Sequence, residues 1–401
     1  MASLASRLTK INYAIREFVP LAKELEKKGE KILYLNIGDP LKYDFDTPEH
    51  IKKALFKAVL EGHNYYTISE GDEELREAIA EKERKWHGVD LNEKDIIVTH
   101  GVSEAINFVC AVLLNPGDNA LIPEPSYPLY QTYVYVYGAT PIGYKCSEEN
   151  GWQPDLDDLR RKINSKTRFI VVINPNNPTG ALYEEKTLRE ILDLASEYSL
   201  MVISDEIYDG IVYEGVFKSL ASLTKDTPVI VLNGFSKTFL MTGWRLGYIY
   251  MKDPSERIIE DLRQAFIKMA RCRLCVTTPI QKAGIAALRG PLTHLEQMVS
   301  KLRRRRDYIY KRINEIDGLS SVEPKSAFYI FPRIVGDLEV RDDREFTRRL
   351  LVEEKVLVVH GSGFGEVGRS HFRAVFLPPL EILEEALDKI ERFIKRYSRS
   401  N

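Results

Sequence analysis

Short apolar runs alternate with helical patterns through the middle of the chain. Each run has four or five residues, many of them β-branched, and a polar or glycine-containing segment follows it. Strands of this kind, separated by helices, are typical of the α/β class, in which helices cover both faces of a mostly parallel sheet. The predicted strands are 96–99, 169–173, 201–204, 229–232 and 246–250, and two of the predicted helices are 103–114 and 184–198.

The pattern changes after Gly290-Pro291. Apolar residues at helical spacing predict a long helix over 292–316, and short strands follow before a last helix over 380–397. We therefore predict a second, smaller α+β domain. The expected organisation is an N-terminal arm with part of the small domain (1–45), a large domain (46–290) and a small C-terminal domain (291–401).

The composition is that of an ordinary globular protein, with 44% hydrophobic and 29% charged residues in 401. Lys and Arg number 57 against 59 Asp and Glu, so the net charge of −2 gives no general attraction for nucleic acid or anionic membranes. No apolar run approaches the roughly 18 residues that cross a bilayer. Four cysteines suggest a reducing compartment. We expect a soluble, cytoplasmic protein that binds neither nucleic acid nor membrane.

The first sixteen residues contain three basic groups and no acid, a composition that organelle transit peptides share. The same pattern continues through 21–29 without a break that resembles a cleavage site. We therefore interpret this segment as an N-terminal arm of the folded protein.

Two features beside predicted strands suit an anion. Val102 and Ser103 follow a glycine turn that opens a helix, where free backbone N–H groups and the helix dipole favour a phosphate. Ordinary helix capping by Ser103 is the alternative. Arg245 directly precedes the strand 246–250, where its guanidinium is placed to bind a phosphate through two hydrogen bonds.

Side chains of opposite charge follow two of the predicted strands, 201–204 and 229–232. Asp205 ends the strand 201–204 and Lys237 follows 229–232, so both are expected at the carboxyl edge of the sheet, where such folds bind ligands. A buried carboxylate needs a cation, and a simple Asp205–Lys237 ion pair is the alternative to a ligand. A ligand with a phosphate, a basic ring nitrogen and a carbonyl that condenses with lysine would satisfy all these groups. Pyridoxal phosphate is such a ligand.

The segment Asn174-Pro-Asn-Asn-Pro-Thr-Gly180 follows the strand 169–173. Its two Asn-Pro steps predict an irregular loop, in which we expect a cis peptide at Asn177-Pro178. A plain turn, with Thr179 capping the next helix, is the alternative interpretation.

Four motifs resemble those of the class I/II, fold-type I pyridoxal-phosphate aminotransferases. They are the 174–180 segment, Ser204-Asp-Glu-Ile-Tyr208, Ser236-Lys237 with Arg245, and His371-Phe-Arg373. The resemblance covers nearly the whole chain and is greatest to archaeal alanine aminotransferases, through Leu35-Asn-Ile-Gly-Asp-Pro40, Gly62-His-Asn-Tyr-Tyr66 and Val359-His-Gly-Ser-Gly-Phe-Gly365.

This resemblance implies a seven-stranded sheet, a homodimer with shared active sites, and amino transfer from an L-amino acid to a 2-oxo acid. Alanine and 2-oxoglutarate are the expected substrates. Aspartate, aromatic or other amino acids stay open, and so does a lyase reaction on the same fold. A regulator that retains the fold as a ligand sensor would carry an added DNA-binding domain, for which the chain has no room before Asn36.

The resemblance also implies a role for each matched residue. Lys237 would form a Schiff base with the cofactor and then move the substrate proton. Asp205 would keep the pyridine nitrogen protonated, and Tyr208 and Asn177 would hydrogen-bond the ring oxygen. Tyr127 would stack on the ring. The phosphate would be bound by Val102, Ser103, Ser236, Arg245 and, from a second subunit, Tyr66; the substrate carboxylate would be bound by Arg373, Asn177 and Gly38.

The remaining motifs receive structural interpretations. Gly363-Phe-Gly365-Glu-Val-Gly368 has dinucleotide-loop spacing, but a strand-like pattern follows it, so we predict a turn that positions the Arg373 strand. Cys272 and Cys275 lack a second pair, and no metal site is predicted. The run Arg303-Arg-Arg-Arg306 is predicted to be a solvated helix face. His360, where many relatives have proline, has no assigned role.

Overall fold

The computed structural model describes residues 5–336 and 342–398. Its helices are α1 (Val19–Lys27), α2 (Glu49–Leu60), α3 (Glu73–His87), α4 (Val102–Leu113), α5 (Leu129–Val136), α6 (Leu156–Lys162), α7 (Glu185–Glu197), α8 (Leu220–Leu223), α9 (Ile259–Cys272), α10 (Thr278–Arg289), α11 (Thr293–Glu315), α12 (Asp343–Glu354) and α13 (Leu380–Tyr397). Its strands are β1 (Leu33–Tyr34), β2 (Ile96–Thr99), β3 (Asn119–Glu124), β4 (Thr140–Ser147), β5 (Gln153–Pro154), β6 (Thr167–Ile173), β7 (Met201–Asp205), β8 (Val229–Gly234), β9 (Gly247–Lys252), β10 (Leu319–Ser320), β11 (Tyr329–Ile330), β12 (Arg333–Ile334), β13 (Val356–Leu357), β14 (Val359–His360) and β15 (Phe372–Val375).

The large sheet has the order β2-β9-β8-β7-β6-β3-β4-β5. Strand β9 is antiparallel to both of its neighbours, whereas β8, β7, β6, β3 and β4 are parallel to one another. The two-residue strand β5 pairs antiparallel with the end of β4 and extends the seven expected strands by one. The predicted α/β fold, with a mostly parallel sheet, is confirmed.

Both faces of this sheet are buried, which explains why its strands are apolar at consecutive positions. Along β6, for example, Ile170 and Val172 pack into one hydrophobic cluster, and Phe169 and Val171 pack into another. The first cluster includes residues of α2, α3, α7 and α10, and the second includes residues of α4, α5 and α9. Alternate side chains of each strand therefore meet helices on opposite sides of the sheet.

The carboxyl ends of the central strands lie level with one another. In the register of the sheet, Ile173 of β6 pairs with Asp205 of β7, and Asp205 pairs with Leu232 of β8. The segments that follow these strands therefore leave the sheet side by side. This register brings the 174–180 loop, Asp205 and the segment containing Lys237 to one edge.

A separate hydrophobic cluster joins the remaining elements. It contains side chains of α11, α12 and α13 together with β11, β13 and β15, and residues 33, 35 and 45 from the N-terminal part. The arm is also joined to the C-terminal part by β1, which pairs parallel with β13. The domain limits at 45 and 290 stay predictions. Across the residues that the structure describes, no helix is long and apolar enough to cross a membrane.

One prediction and one alternative interpretation for the 174–180 loop are wrong. The cis peptide bond of the 174–180 loop is Asn174-Pro175, not Asn177-Pro178, and a second one is Glu124-Pro125. The chain turns at the first Asn-Pro step because the strand ends at Ile173 and the Asn174 side chain accepts a hydrogen bond from the Tyr183 N–H at 2.8 Å. Thr179 caps no helix, since its hydroxyl donates to Asn176 Oδ1 within the loop.

The run 303–306 is not a wholly solvated face. Arg305 and Arg306 are 5% and 2% exposed. Arg305 pairs with Asp44 at 2.7 Å, and Arg306 pairs with Glu214 at the same distance. Carboxylates from elsewhere in the chain thus allow two guanidinium groups to be buried. The 363–368 segment forms short 3-10 turns beside β15, as predicted.

A buried network of charged side chains joins α3 to the segment that follows β7. The Lys82 ammonium on α3 contacts Asp209 Oδ2 at 2.5 Å and Glu83 Oε1 at 2.8 Å, and His87 Nε2 lies 3.0 Å from Asp209 Oδ2. Although burial opposes it, the two carboxylates hold the pKa of Lys82 above its ordinary value. Possible ligand atoms of Glu83, His87 and Asp209 lie close enough together to hold a metal ion. The Lys82 ammonium already contacts Glu83 and Asp209, so a cation is present at this position.

We expect Lys82→Met to destabilise the fold by about 3–5 kcal/mol, because it leaves two buried carboxylates without their cation. Urea unfolding followed by circular dichroism measures this change. Lys23→Met is the control, since the Lys23–Glu26 pair on α1 is exposed and its loss should alter stability little. Equal midpoints for both variants would contradict the assigned importance of the network.

Candidate active site

A cavity of about 520 Å³ opens at the carboxyl edge of the sheet, within the size range of ligand pockets. Eleven of the twelve site residues predicted from the sequence line it: Gly38, Val102, Ser103, Tyr127, Asn177, Asp205, Tyr208, Ser236, Lys237, Arg245 and Arg373. The cavity also holds four cationic side chains but only two carboxylates, which favours anionic ligands; these are Arg16, Lys237, Arg245 and Arg373 against Asp39 and Asp205.

One end of the cavity is built to bind an anion. Gly101, with φ of 73°, is the N-cap of α4, so the first N–H groups of the helix have no partner within it. The Arg245 guanidinium lies over this helix start, 3.5 Å from Ser103 Oγ and 3.4 Å from Ser236 Oγ. A Cβ at position 101 would lie 2.6 Å from Arg245 Nη2, so glycine is required for this approach.

Asp205 also lines the cavity and is 3% exposed. Its Oδ2 accepts a hydrogen bond from the Tyr130 hydroxyl at 2.8 Å, and its Oδ1 accepts a long one from the Ile207 N–H at 3.3 Å. Burial raises the pKa of Asp205 to about 6. A cationic donor in the cavity would therefore favour its ionised form.

The predicted alternative, an Asp205–Lys237 ion pair, is not formed. The Lys237 ammonium instead donates to the carbonyl of Gly38 at 2.7 Å. Burial lowers the pKa of Lys237 to about 8, and the nearby Arg245 and Arg373 act in the same direction, whereas Asp39 opposes them. A lysine with this pKa has a substantial neutral fraction near pH 7, which is the form that attacks carbonyls.

Arg373 of β15 also lines the cavity and is 1% exposed. Its Nη1 donates to Asn177 Oδ1 at 2.9 Å and its Nη2 to the Asn36 carbonyl at 2.5 Å. Its Nε has no hydrogen-bond partner among the residues that the structure describes. The guanidinium also lies 4.5 Å from the centre of the Tyr329 ring. This arrangement leaves a buried cation with donor capacity for a carboxylate.

Several residues at or beside the cavity were not predicted from the sequence. Tyr329 lines the cavity and shares a 2.7 Å hydrogen bond with the hydroxyl of Tyr208, and Tyr130 lies behind the lining and donates to Asp205. Tyr130 is in the first turn of α5, whereas Tyr127 precedes this helix, so helical spacing gave no signal for it. Tyr66 is the one predicted site residue that does not line the cavity; its side chain is exposed.

The family model for class I and II aminotransferases matches residues 30–390 of the chain. The chain belongs to this family. The family is pyridoxal-phosphate dependent, so the protein is a pyridoxal-phosphate-dependent aminotransferase.

Three relatives define the likeness more closely. The solved structure of an alanine aminotransferase from Pyrococcus furiosus is 55% identical, with a TM-score of 0.95, over 98% of this chain and 100% of that one. The glutamate-pyruvate aminotransferase AlaA of Escherichia coli K12 is 37% identical over 98% of both chains. The aromatic-amino-acid aminotransferase 2 of Thermococcus litoralis is 40% identical, also over 98% of both.

The residues of this aminotransferase fit the cofactor. The helix start with Arg245 and two serine hydroxyls suits the phosphate, and Asp205 suits a protonated ring nitrogen. Lys237, which lines the same cavity, suits the aldehyde. An anion site, a buried carboxylate and a reactive amine in one cavity are what this aldehyde requires of a protein.

We expect the Lys237 amine of the cofactor-free protein to become reactive as the pH rises through about 8, because the ammonium present below this pH has no lone pair. An ordinary lysine would need a pH near 10.4. Competitive labelling with acetic anhydride between pH 6 and 11, read by mass spectrometry, measures each amine separately. The exposed Lys186 is the internal control. Coincident titration of the two lysines would contradict the lowered pKa.

Proposed function

We propose that this aminotransferase transfers the amino group of L-alanine to 2-oxoglutarate. The observation that carries the proposal is the 55% identity to the alanine aminotransferase of Pyrococcus furiosus over nearly the whole chain. The name of the Escherichia coli relative, a glutamate-pyruvate aminotransferase, supports the same pair of substrates.

We assign the cofactor contacts from the geometry of the cavity. The N–H groups of Val102 and Ser103, the Ser236 hydroxyl and Arg245 would hold the phosphate. Tyr127 would pack against the ring, and Tyr208 with Asn177 would hydrogen-bond its oxygen. When bound, pyridoxal phosphate supplies an aldehyde for the lysine and a ring that accepts the electrons of the substrate carbanion.

The proton transfer belongs to Lys237. With substrate bound, its Nζ would remove the proton from the substrate α-carbon and hold it for delivery to the carbon that carries the aldehyde oxygen in the free cofactor. A pKa of about 8 suits a base in this role. Asp205 holds a proton on the ring nitrogen through its cavity-facing carboxylate. Tyr130 keeps this carboxylate oriented by donating to its Oδ2.

The substrate carboxylates have two cationic partners. Arg373 binds the α-carboxylate, together with Asn177 and the backbone at Gly38. Arg16 is the cation of the cavity that has no other assignment, and it fits the second carboxylate of 2-oxoglutarate. Tyr13 and Ile15, from the same N-terminal segment, also line the cavity.

We expect L-alanine to bleach the visible absorption of the bound cofactor, and 2-oxoglutarate to restore it. Stopped-flow spectrophotometry measures both half-reactions. Lys237→Ala is the control, which should bind cofactor yet lose turnover because the base is absent. Faster bleaching by phenylalanine or aspartate would overturn the assignment of alanine, and release of ammonia in place of a new amino acid would indicate a lyase.

We also propose that the protein is a cytoplasmic homodimer in which Tyr66 reaches the phosphate of the partner's site. Apolar side chains are exposed along α2 and the segment that follows it, and such a row is typical of an interface. The largest exposed fractions are those of Phe56 (70%), Leu60 (85%), Tyr65 (57%), Tyr66 (79%) and Ile68 (55%). All four cysteines are free thiols, as expected in a reducing compartment.

We expect Phe56→Asp with Leu60→Asp to give monomers that retain cofactor poorly, because a charged pair cannot be buried at the interface and Tyr66 is lost from the partner's site. Light scattering and dialysis against buffer measure the two effects. Val216→Asp, at a 73% exposed position outside this surface, is the matched control. Full activity of a monomer would contradict the proposal.

A further inference from the structure

The segment 13–18, called here the arm segment, forms one wall of the cavity. Tyr13, Ile15 and Arg16 line it. The Tyr13 hydroxyl lies 3.0 Å from the hydroxyl of Tyr127, and the Asn36 amide donates to the Ile15 carbonyl at 3.1 Å. The arm segment therefore contacts both the cofactor end and the substrate end of the site.

Glu17, the next residue, faces away from the cavity and binds two elements of the C-terminal part. Its Oε2 lies 2.9 Å from His360 Nε2 on β14, and its Oε1 lies 2.5 Å from Arg344 Nε on α12. The other nitrogen of His360, Nδ1, lies 2.8 Å from Ser362 Oγ. Both ring nitrogens are thus engaged, which fixes the orientation of the imidazole.

The fit around this carboxylate is close. The His360 side chain is 4% exposed, and Phe18 packs edge-on against its ring with centroids 6.3 Å apart. A Cβ at Gly363 would lie 2.1 Å from the Ala14 side chain, so the backbone of the 361–364 turn approaches the arm segment closely. Burial would raise the pKa of Glu17, but hydrogen bonds from Arg344 and His360 lower it overall.

We infer that Glu17, His360 and Arg344 form a clasp that positions Ile15 and Arg16 against the substrate. Glu17 follows these two residues directly in the chain, so fixing its carboxylate to β14 and α12 fixes the wall that they form. The three residues are positioning residues, because none of them lines the cavity. The clasp also gives His360 a role.

The clasp affects the binding of substrate, and therefore KM, without affecting the rate of the chemical step. Lys237, Asp205 and Arg373 have no hydrogen bond to any of its members, so kcat at saturation depends on other contacts. A free arm segment must be ordered anew each time a substrate binds, and this ordering raises KM.

Glu17→Gln, which keeps the size of the side chain and removes its charge, tests the clasp in the dimeric holoenzyme. We expect KM for L-alanine and for 2-oxoglutarate to rise about tenfold, the effect of losing one to two charged hydrogen bonds, and kcat to stay within about twofold. We also expect trypsin to cleave faster after Arg16, as mass spectrometry would show. Glu26→Gln is the matched control, since Glu26 forms an exposed ion pair with Lys23 on α1 and lies outside the arm segment.

His360 gives an independent test. His360→Leu should reproduce the rise in KM, whereas His360→Gln, which keeps a donor for the Glu17 carboxylate, should recover most of the loss. If His360→Leu does not fold, Glu17→Gln and His360→Gln decide the question. An unchanged KM and unchanged cleavage in folded Glu17→Gln, or a fall in kcat alone, would overturn the clasp.

The kinetic part of this inference rests on the proposed function. The experiments nevertheless distinguish a failure of the clasp from a failure of the proposed substrate. Cleavage after Arg16 needs no substrate, and any amino acid that the unmodified enzyme uses replaces alanine in the kinetic comparison. A wrong substrate assignment would therefore change the amino acid that is used and leave the contrast between Glu17→Gln and Glu26→Gln intact.

Discussion

Asp205, at the end of β7, and Lys237, shortly after the neighbouring β8, line one cavity and do not pair with each other. Because each charge is desolvated, the pKa of Asp205 rises to about 6 and that of Lys237 falls to about 8. The fold thereby presents an acid and a base that both titrate near neutrality in one cavity. Such a pair fits a cofactor with a basic ring nitrogen and an aldehyde, and the register of β6, β7 and β8 that sets the edge of the sheet also places these two groups.

This arrangement requires that the two segments after β7 and β8 do not move relative to each other. Asp209, directly after Tyr208, accepts hydrogen bonds from Asn233 Nδ2 at 2.8 Å and from Thr238 Oγ1 at 3.3 Å. Asn233 and Thr238 flank the segment that contains Ser236 and Lys237. Lys82 neutralises Asp209 from below. The buried network therefore joins the segment with Asp205 and Tyr208 to the segment with Lys237, in the way that a rigid support holds reacting groups in place.

The sequence predicted the parts of this structure that depend on local pattern. Strands buried on both faces are apolar at every position, and residues directly after parallel strands must share one edge, so the positions of Asp205 and Lys237 followed from short segments. The burial of Arg305 could not be predicted, because its partner Asp44 is 261 residues away along the chain. The same holds for Glu17 and His360, which are 343 residues apart. Motif spacing carries no information about such pairs.

Arg373 shows how the fold reserves binding energy for the substrate. Its hydrogen-bond acceptors are the Asn36 carbonyl and the Asn177 amide, which are neutral, and among the described residues no carboxylate forms an ion pair with it. Burial lowers the pKa of Arg373, yet a guanidinium remains charged at neutral pH. A buried cation without a counter-ion is costly, so under the proposed function the α-carboxylate of the substrate would relieve this cost. An amine that lacks this carboxylate would leave the charge uncompensated, and recognition of amino acids as a class therefore precedes any discrimination between their side chains.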